Sequence, residues 1–248
     1  MCVACATPSP ISPEISPLGR DDPSPGCDAG PVSATGLPAP PDDATAWSWV
    51  AEERIALADR LAGLDAPAWD GPSLCAGWRV RDVVGHLVWL AEASRPSATI
   101  DILRQHRPPS AAIVRIGRRE GRADPAELLD RLRRSADGRF VVITQPPVMA
   151  LGEVLVHGSD ALRPAGGERR PADDRTGLVA DAYRGVGFVF GARPAAKVRF
   201  TADDADWSVG PADGPEASGP GEAVLLALAG RPEGAADLSG PGTALLRS

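Results

Sequence analysis

The chain has 248 residues, enough for one sizeable core or two unequal ones, and its 43% hydrophobic and 24% charged content is that of a soluble globular protein. A net charge of -7 with no clustered basic patch argues against a nucleic-acid surface. No apolar run approaches the length of a membrane span, and the start MCVACATPSP lacks the basic flank and apolar centre of a signal peptide, so no membrane partner and a cytoplasmic location are expected.

Residues 1–43 are rich in Pro, Ser, Gly and Asp without apolar periodicity, and they read as a disordered leader. Cys2, Cys5 and Cys27 lie in this segment and Cys75 stands apart, which is no disulfide framework. Cys2 and Cys5 form a CxxC, but no second pair follows to complete a zinc site.

From Ala44 the spacing predicts a first helix, with Trp49, Ile55, Leu57, Leu61 and Leu64 on one face and Pro67 as its end. A second helix is expected from near Trp78 to before Pro96, with Val80, Val83, Val84, Leu87 and Leu90 as its core stripe. Residues 97–123 read as a long basic connection with room for a helix at 98–106, broken by RQHRPPS. Asp124, Pro125 and Glu127 carry the N-cap, first-position proline and capping-box pattern of a third helix over 125–137. A fourth helix should start at Pro146 or Pro147 and end near Arg163, and a fifth should cover about 175–191. Beyond Pro194 the short alternating runs AKVRFTA and DWSVG, Gly- and Pro-rich turns and the helix-like GEAVLLALAGR suggest a small α+β unit. The resulting layout is a leader over 1–43, a helical domain over 44–192 and a small α+β domain over 193–248.

The fourth helix contains LGEVLVHGSDALRP, in which Glu153 and His157 are four residues apart and project from one side. Taken alone, the pair fits the polar edge of a helix as well as a site. His86, in RDVVGHLVWLAE, sits on the other strongly apolar helix, where a satisfied core histidine is the alternative. Burying an imidazole and a carboxylate is costly unless they pair or bind a cation. Two histidines and one glutamate are also a ligand set with which a catalytic zinc keeps an open fourth position. Asp160, one turn beyond His157, is in reach to accept its other ring N–H, or is simply a carboxylate near a helix end. His106 reads as a loop residue. Cys75 lies eleven residues before His86, about 16 Å along a helix axis, and reads as small loop packing. Trp49, Trp78 and Trp89 read as core or pocket wall, and no phosphate loop, Ser–His–Asp order or dinucleotide fingerprint is present in context.

The strings LCAGWRVRDVVGHLVWLAEA, GEVLVHGSDALRP and DWSVG…GEAVLLALAGRP resemble the mycothiol-dependent maleylpyruvate isomerase family of actinobacteria. The resemblance spans about 44–240 and is most specific at the GHL and ExxxHGxD motifs. It implies a mainly α fold, a DinB-like four-helix bundle followed by a small α+β domain. It also implies a divalent metal, usually zinc, on His86, Glu153 and His157. Its LAGR motif makes Arg231 a candidate catalytic residue facing the thiol or substrate, with a solvated helix-end cation as the alternative. The chain departs from the family at Arg79, where Thr or Ser is common, which removes an N-cap oxygen but leaves Asp82 in the first turn.

The function implied is activation of a low-molecular-weight thiol, mycothiol, for cis–trans isomerisation or S-transfer on a small electrophile. A thiol-independent metal enzyme acting by Lewis acidity or metal-bound water, and a non-catalytic metal-binding or regulatory protein, remain open alternatives. The pocket that selects the substrate is expected in part from the C-terminal domain. The substrate itself, and monomer against homodimer, are not readable from the sequence.

Overall fold

The computed structural model describes residues 36–141, 145–167, 173–186 and 193–246. Cys2, Cys5 and Cys27, most of the leader and the end of the expected fifth helix lie outside the described residues. Within them no helix is long and apolar enough to cross a membrane.

Four helices close a ring: α1 (Asp43–Leu61), α3 (Val80–Glu92), α6 (Pro125–Arg134) and α7 (Pro147–Leu162). α1 packs on α6 and α7, and α3 packs on the same two, so α1 and α3 lie across the diagonal. α1 begins at Asp42, whose side chain accepts the Thr45 N–H, and buries Val50, Leu57, Ala58 and Leu61. Its buried face differs from the expected stripe at Ile55, which is 44% exposed, because Glu53 and Arg54 turn inward instead. α3 starts without an N-cap oxygen at Arg79, as its sequence implies, and the Asp82 carboxylate accepts the Arg79 N–H at 3.0 Å in compensation. Asp124 caps α6 by accepting the Ala126 N–H at 2.9 Å.

Two expectations fail through proline. Pro67 does not simply end α1; α1 stops at Leu61, and Pro67 lies in the first turn of the short α2 (Ala66–Asp70), capped by Asp65. The basic connection likewise holds two helices, α4 (Arg95–Arg104) and α5 (Pro109–Glu120), with His106 in the turn between them at φ 49°. A proline in the first turn has no intrahelical hydrogen bond to lose, so Pro109 starts a helix where it seemed to break one.

α5 lies along the outer side of α3, which explains why α3 is buried nearly all round. The contact depends on glycine. A Cβ at Gly85 would stand 2.4 Å from the Gly121 backbone nitrogen and 2.7 Å from the Gly117 carbonyl oxygen. The same device recurs on α7, where a Cβ at Gly152 would meet the Tyr183 ring at 2.4 Å. Each of these glycines immediately precedes a candidate ligand, so close helix packing fixes the backbone from which His86 and Glu153 project.

α8 (Asp174–Arg184) packs on α7 and on α9 (Gly221–Leu228), which is buried along its whole length. α9 covers a three-stranded sheet of β1 (Arg199–Ala202), β2 (Ser208–Val209) and β3 (Glu216–Gly219), in the order β2-β1-β3. β1 pairs antiparallel with β2, Phe200 opposite Val209, and parallel with β3, Phe200 opposite Ala217. β3 falls in the stretch read as turns, because EASG has no β-branched or aromatic residue to signal a strand. α10 (Pro232–Ala236) and α11 (Thr243–Leu246) complete the chain's described part. Leu37, within the stretch read as leader, packs against the core.

Gly85→Ala gains up to about 1 kcal/mol of helix propensity but drives a methyl into backbone atoms that cannot rotate away. Net destabilisation of about 1–3 kcal/mol is expected, read as a lower thermal midpoint; an unchanged or raised midpoint would contradict the packing described.

Candidate metal centre

His86 and the pair Glu153 and His157 meet where α3 crosses α7. One Glu153 carboxylate oxygen, Oε2, lies 3.5 Å from His86 Nε2 and 3.2 Å from His157 Nε2. The two imidazole centroids are 5.1 Å apart and nearly perpendicular. All three side chains are buried, at 1%, 8% and 2% exposure for His86, Glu153 and His157. Trp78 meets the His86 ring edge-on at 5.6 Å and Trp89 lies 6.1 Å away, which makes these tryptophans walls of the centre.

The donor set fits a divalent metal on two counts. Ligand atoms about 2.0–2.1 Å from a tetrahedral zinc stand about 3.3 Å from one another, which matches the two distances to Glu153 Oε2. Two imidazole nitrogens and one carboxylate oxygen are also an ordinary zinc complement, and the three donor atoms lie within 4.8 Å of one another.

The outer ring nitrogen of His157 explains its orientation. Nδ1 lies 2.9 Å from Asp160 Oδ2, a bond that places the proton on Nδ1 and leaves the Nε2 lone pair facing Glu153 and His86. Asp160 is fully buried and is gripped in turn by Arg231, whose Nε donates to Oδ1 at 2.9 Å and Nη2 to Oδ2 at 2.8 Å. Burial alone would raise the Asp160 pKa, but the Arg231 charge and the hydrogen bonds from His157 and Arg231 outweigh it and hold the carboxyl well below its usual range. Arg231 is 6% exposed, so the reading of a solvated helix-end cation is wrong. Gly230, in the left-handed region at φ 75°, ends α9 and turns the chain so that Arg231 points back into the bundle.

Cys75 is the residue that sequence reasoning misplaced. It is fully buried as expected of loop packing, but its Sγ lies 3.1 Å from Asp160 Oδ2 and 3.6 Å from both His157 Nδ1 and Arg231 Nη2. Counting residues back along the second helix was the error: the loop folds onto α7, and the Leu74 N–H donates to the Asp160 carbonyl at 3.0 Å. Cys75, His157 and Asp160 therefore form a second group of potential ligands that shares His157 with the first. Arg231 already supplies the positive charge beside that second group, so the first group is the better cation site.

A narrow cleft between α1, α3 and α7 is lined by Glu153, and Phe140 and Gln145 also line it. No described residue of the C-terminal unit lines this cleft.

The fold is a helix bundle in which His86, Glu153 and His157 form a buried group of donors that could hold a metal ion. Residues 50–147 match the family model described as the mycothiol maleylpyruvate isomerase N-terminal domain. The matched segment contains His86; Glu153, His157, Asp160 and Arg231 lie beyond it. Two crystal structures, of the mycothiol-dependent maleylpyruvate isomerase and of a histidine-to-alanine mutant of it, share the fold, with TM-scores of 0.55 and 0.54. Each is 14% identical, over 80% of this chain and 92% of that one. The comparison with curated proteins gave no match.

Asp160→Asn keeps the shape of the side chain but leaves the buried Arg231 cation without its counter-charge, which should cost about 3–5 kcal/mol, measured by urea unfolding of the metal-free protein. In the wild type folding depresses the Asp160 pKa, so the stabilisation is complete above the ordinary carboxylate pKa of about 4 and is lost only as the pH falls through the lower folded value. A loss under about 1 kcal/mol for the variant would contradict a buried, charge-paired Asp160.

Proposed function

We propose that this chain is a divalent-metal enzyme that activates a low-molecular-weight thiol, mycothiol, to isomerise a small cis-unsaturated electrophile such as maleylpyruvate. The observation that carries this reading is the convergence of His86 Nε2, His157 Nε2 and Glu153 Oε2, with Glu153 also lining a cleft. The family-model match over residues 50–147 and the fold shared with the mycothiol-dependent maleylpyruvate isomerase support the choice of thiol and reaction.

His86, Glu153 and His157 would hold the metal, which when bound supplies a positive charge that keeps a thiol as thiolate near neutral pH. The protein's own task is to fix that arrangement. Asp160 holds the His157 proton at Nδ1, so the imidazole offers its Nε2 lone pair to the centre. Arg231 holds both Asp160 oxygens, which prevents the carboxylate from rotating away or taking the proton. Trp78 and Trp89 pack against His86 and keep bulk water from its ring. Glu153 also lines the cleft and so connects it to the centre. In this reading Arg231 acts through Asp160 as a positioning residue.

The test combines metal analysis and turnover on the same samples. The wild type should carry about one equivalent of zinc and isomerise maleylpyruvate only with mycothiol present. His86→Ala and His157→Ala should lose the metal and at least about 100-fold in rate. Turnover that is equal without thiol, or unaffected by chelation, would overturn the reading.

A further inference from the structure

The cleft that Glu153 lines has one feature that the metal centre does not account for. Arg54, on α1, lines it together with Leu87, Leu90, Phe140 and Met149. Its side chain is buried, the residue being 2% exposed. One guanidinium nitrogen, Nη1, donates to the Ala136 carbonyl at 2.8 Å and to the Gly138 carbonyl at 2.7 Å, which pins the turn after α6. These contacts satisfy hydrogen bonding but bring no negative charge.

Other inward-facing arginines among the described residues have carboxylate partners. Arg231 has Asp160, and Arg131, which is partly buried, has Glu92 and Glu120. Among the described residues no carboxylate comes within ion-pair distance of Arg54; Asp137 acts on it only at longer range and is itself exposed. Burial pushes the Arg54 pKa down to about 10, so it stays charged at neutral pH in a setting that disfavours charge. A buried cation without a counter-ion is costly, and an anion entering the cleft would offset that cost.

We propose that Arg54 is an anion subsite that binds a carboxylate group of the substrate and so orients it with its reactive end toward Glu153. This rests on the reading of His86, Glu153 and His157 as the reaction centre. The guanidinium is planar and two of its edges can each pair with a carboxylate. With Nη1 committed to the two carbonyls, the remaining edge presents Nε and Nη2. The walls Leu87, Leu90, Phe140 and Met149 are apolar, and the free space between them is about 10 Å³, so a ligand's carbon chain enters only as these side chains move apart. A neutral ligand of the same shape gains only the apolar contact, so the cleft selects small acids.

The test is calorimetric titration of the full-length protein with succinate and with its uncharged analogue succinamide, for wild type, Arg54→Gln and Arg54→Lys. Succinate should bind the wild type and succinamide should not. Arg54→Gln, which retains a donor for the carbonyls, should weaken succinate by about 10- to 100-fold, and Arg54→Lys by less. Circular dichroism and zinc content of each variant accompany the titrations. If both variants misfold, the wild-type contrast between succinate and succinamide still decides. Equal affinity for the two compounds, no succinate binding to the wild type, or unchanged binding in folded Arg54→Gln would each overturn the proposal. A metal-stripped sample run in parallel separates the two readings. Succinate binding that survives stripping and is lost in Arg54→Gln keeps the Arg54 subsite even if the metal reading fails, whereas binding that tracks the metal and ignores Arg54 overturns the subsite alone.

Discussion

The carboxylate of Asp160 is the hinge of the structure. It is fully buried and takes Arg231 from the C-terminal unit on both oxygens, with His157 of its own helix and Cys75 of the preceding loop at Oδ2. An isolated buried carboxylate would cost several kcal/mol, so these contacts form together or not at all. Their joint requirement links three parts of the chain that are far apart in sequence. It also gives the C-terminal unit a reason to be where it is: Arg231 reaches the bundle from the turn after α9, and α9 is bound to α7 a second time through the Ser159 hydroxyl, which donates to Glu222.

That linkage makes the centre directional. His157 has two ring nitrogens and two candidate donor groups, one on each side. On the Nδ1 side the cation is a guanidinium, which is permanently charged and fixed by its bonds to Asp160 and to the Ala229 carbonyl. On the Nε2 side stand a second imidazole and a carboxylate with no described guanidinium in ion-pair contact. A metal on the Nε2 face would be supported by the chain Asp160–Arg231 behind it, as outer-sphere partners support ligating histidines generally.

Much of this was legible in the sequence, for physical reasons. α3 and α7 stood out because long apolar helices have a strong period, and two of the chain's three histidines interrupt them. Glu153, His157 and Asp160 were readable because helical geometry alone puts positions four and three apart on one side. What could not be read crosses the chain. Cys75 approaches Asp160 across 85 positions and Arg231 does so across 71, and no periodicity encodes a contact between loops and helices at such range. α5 was hidden because Pro108 and Pro109 signal both a helix break and a helix start, and β3 because a short strand beside β1 can be held by its ladder without β-branched residues. Arg54 was invisible because an arginine at a helical position reads as solvated until its burial is known.

The most direct measurement is X-ray absorption at the zinc edge on the purified protein, first without thiol and then with mycothiol. The account predicts an initial shell of nitrogen and oxygen with the outer scattering of two imidazoles and no sulfur, and the gain of one sulfur at about 2.3 Å when thiol is added. Sulfur scattering with a single imidazole before any thiol is added would place the metal on Cys75, His157 and Asp160 instead and would contradict the account.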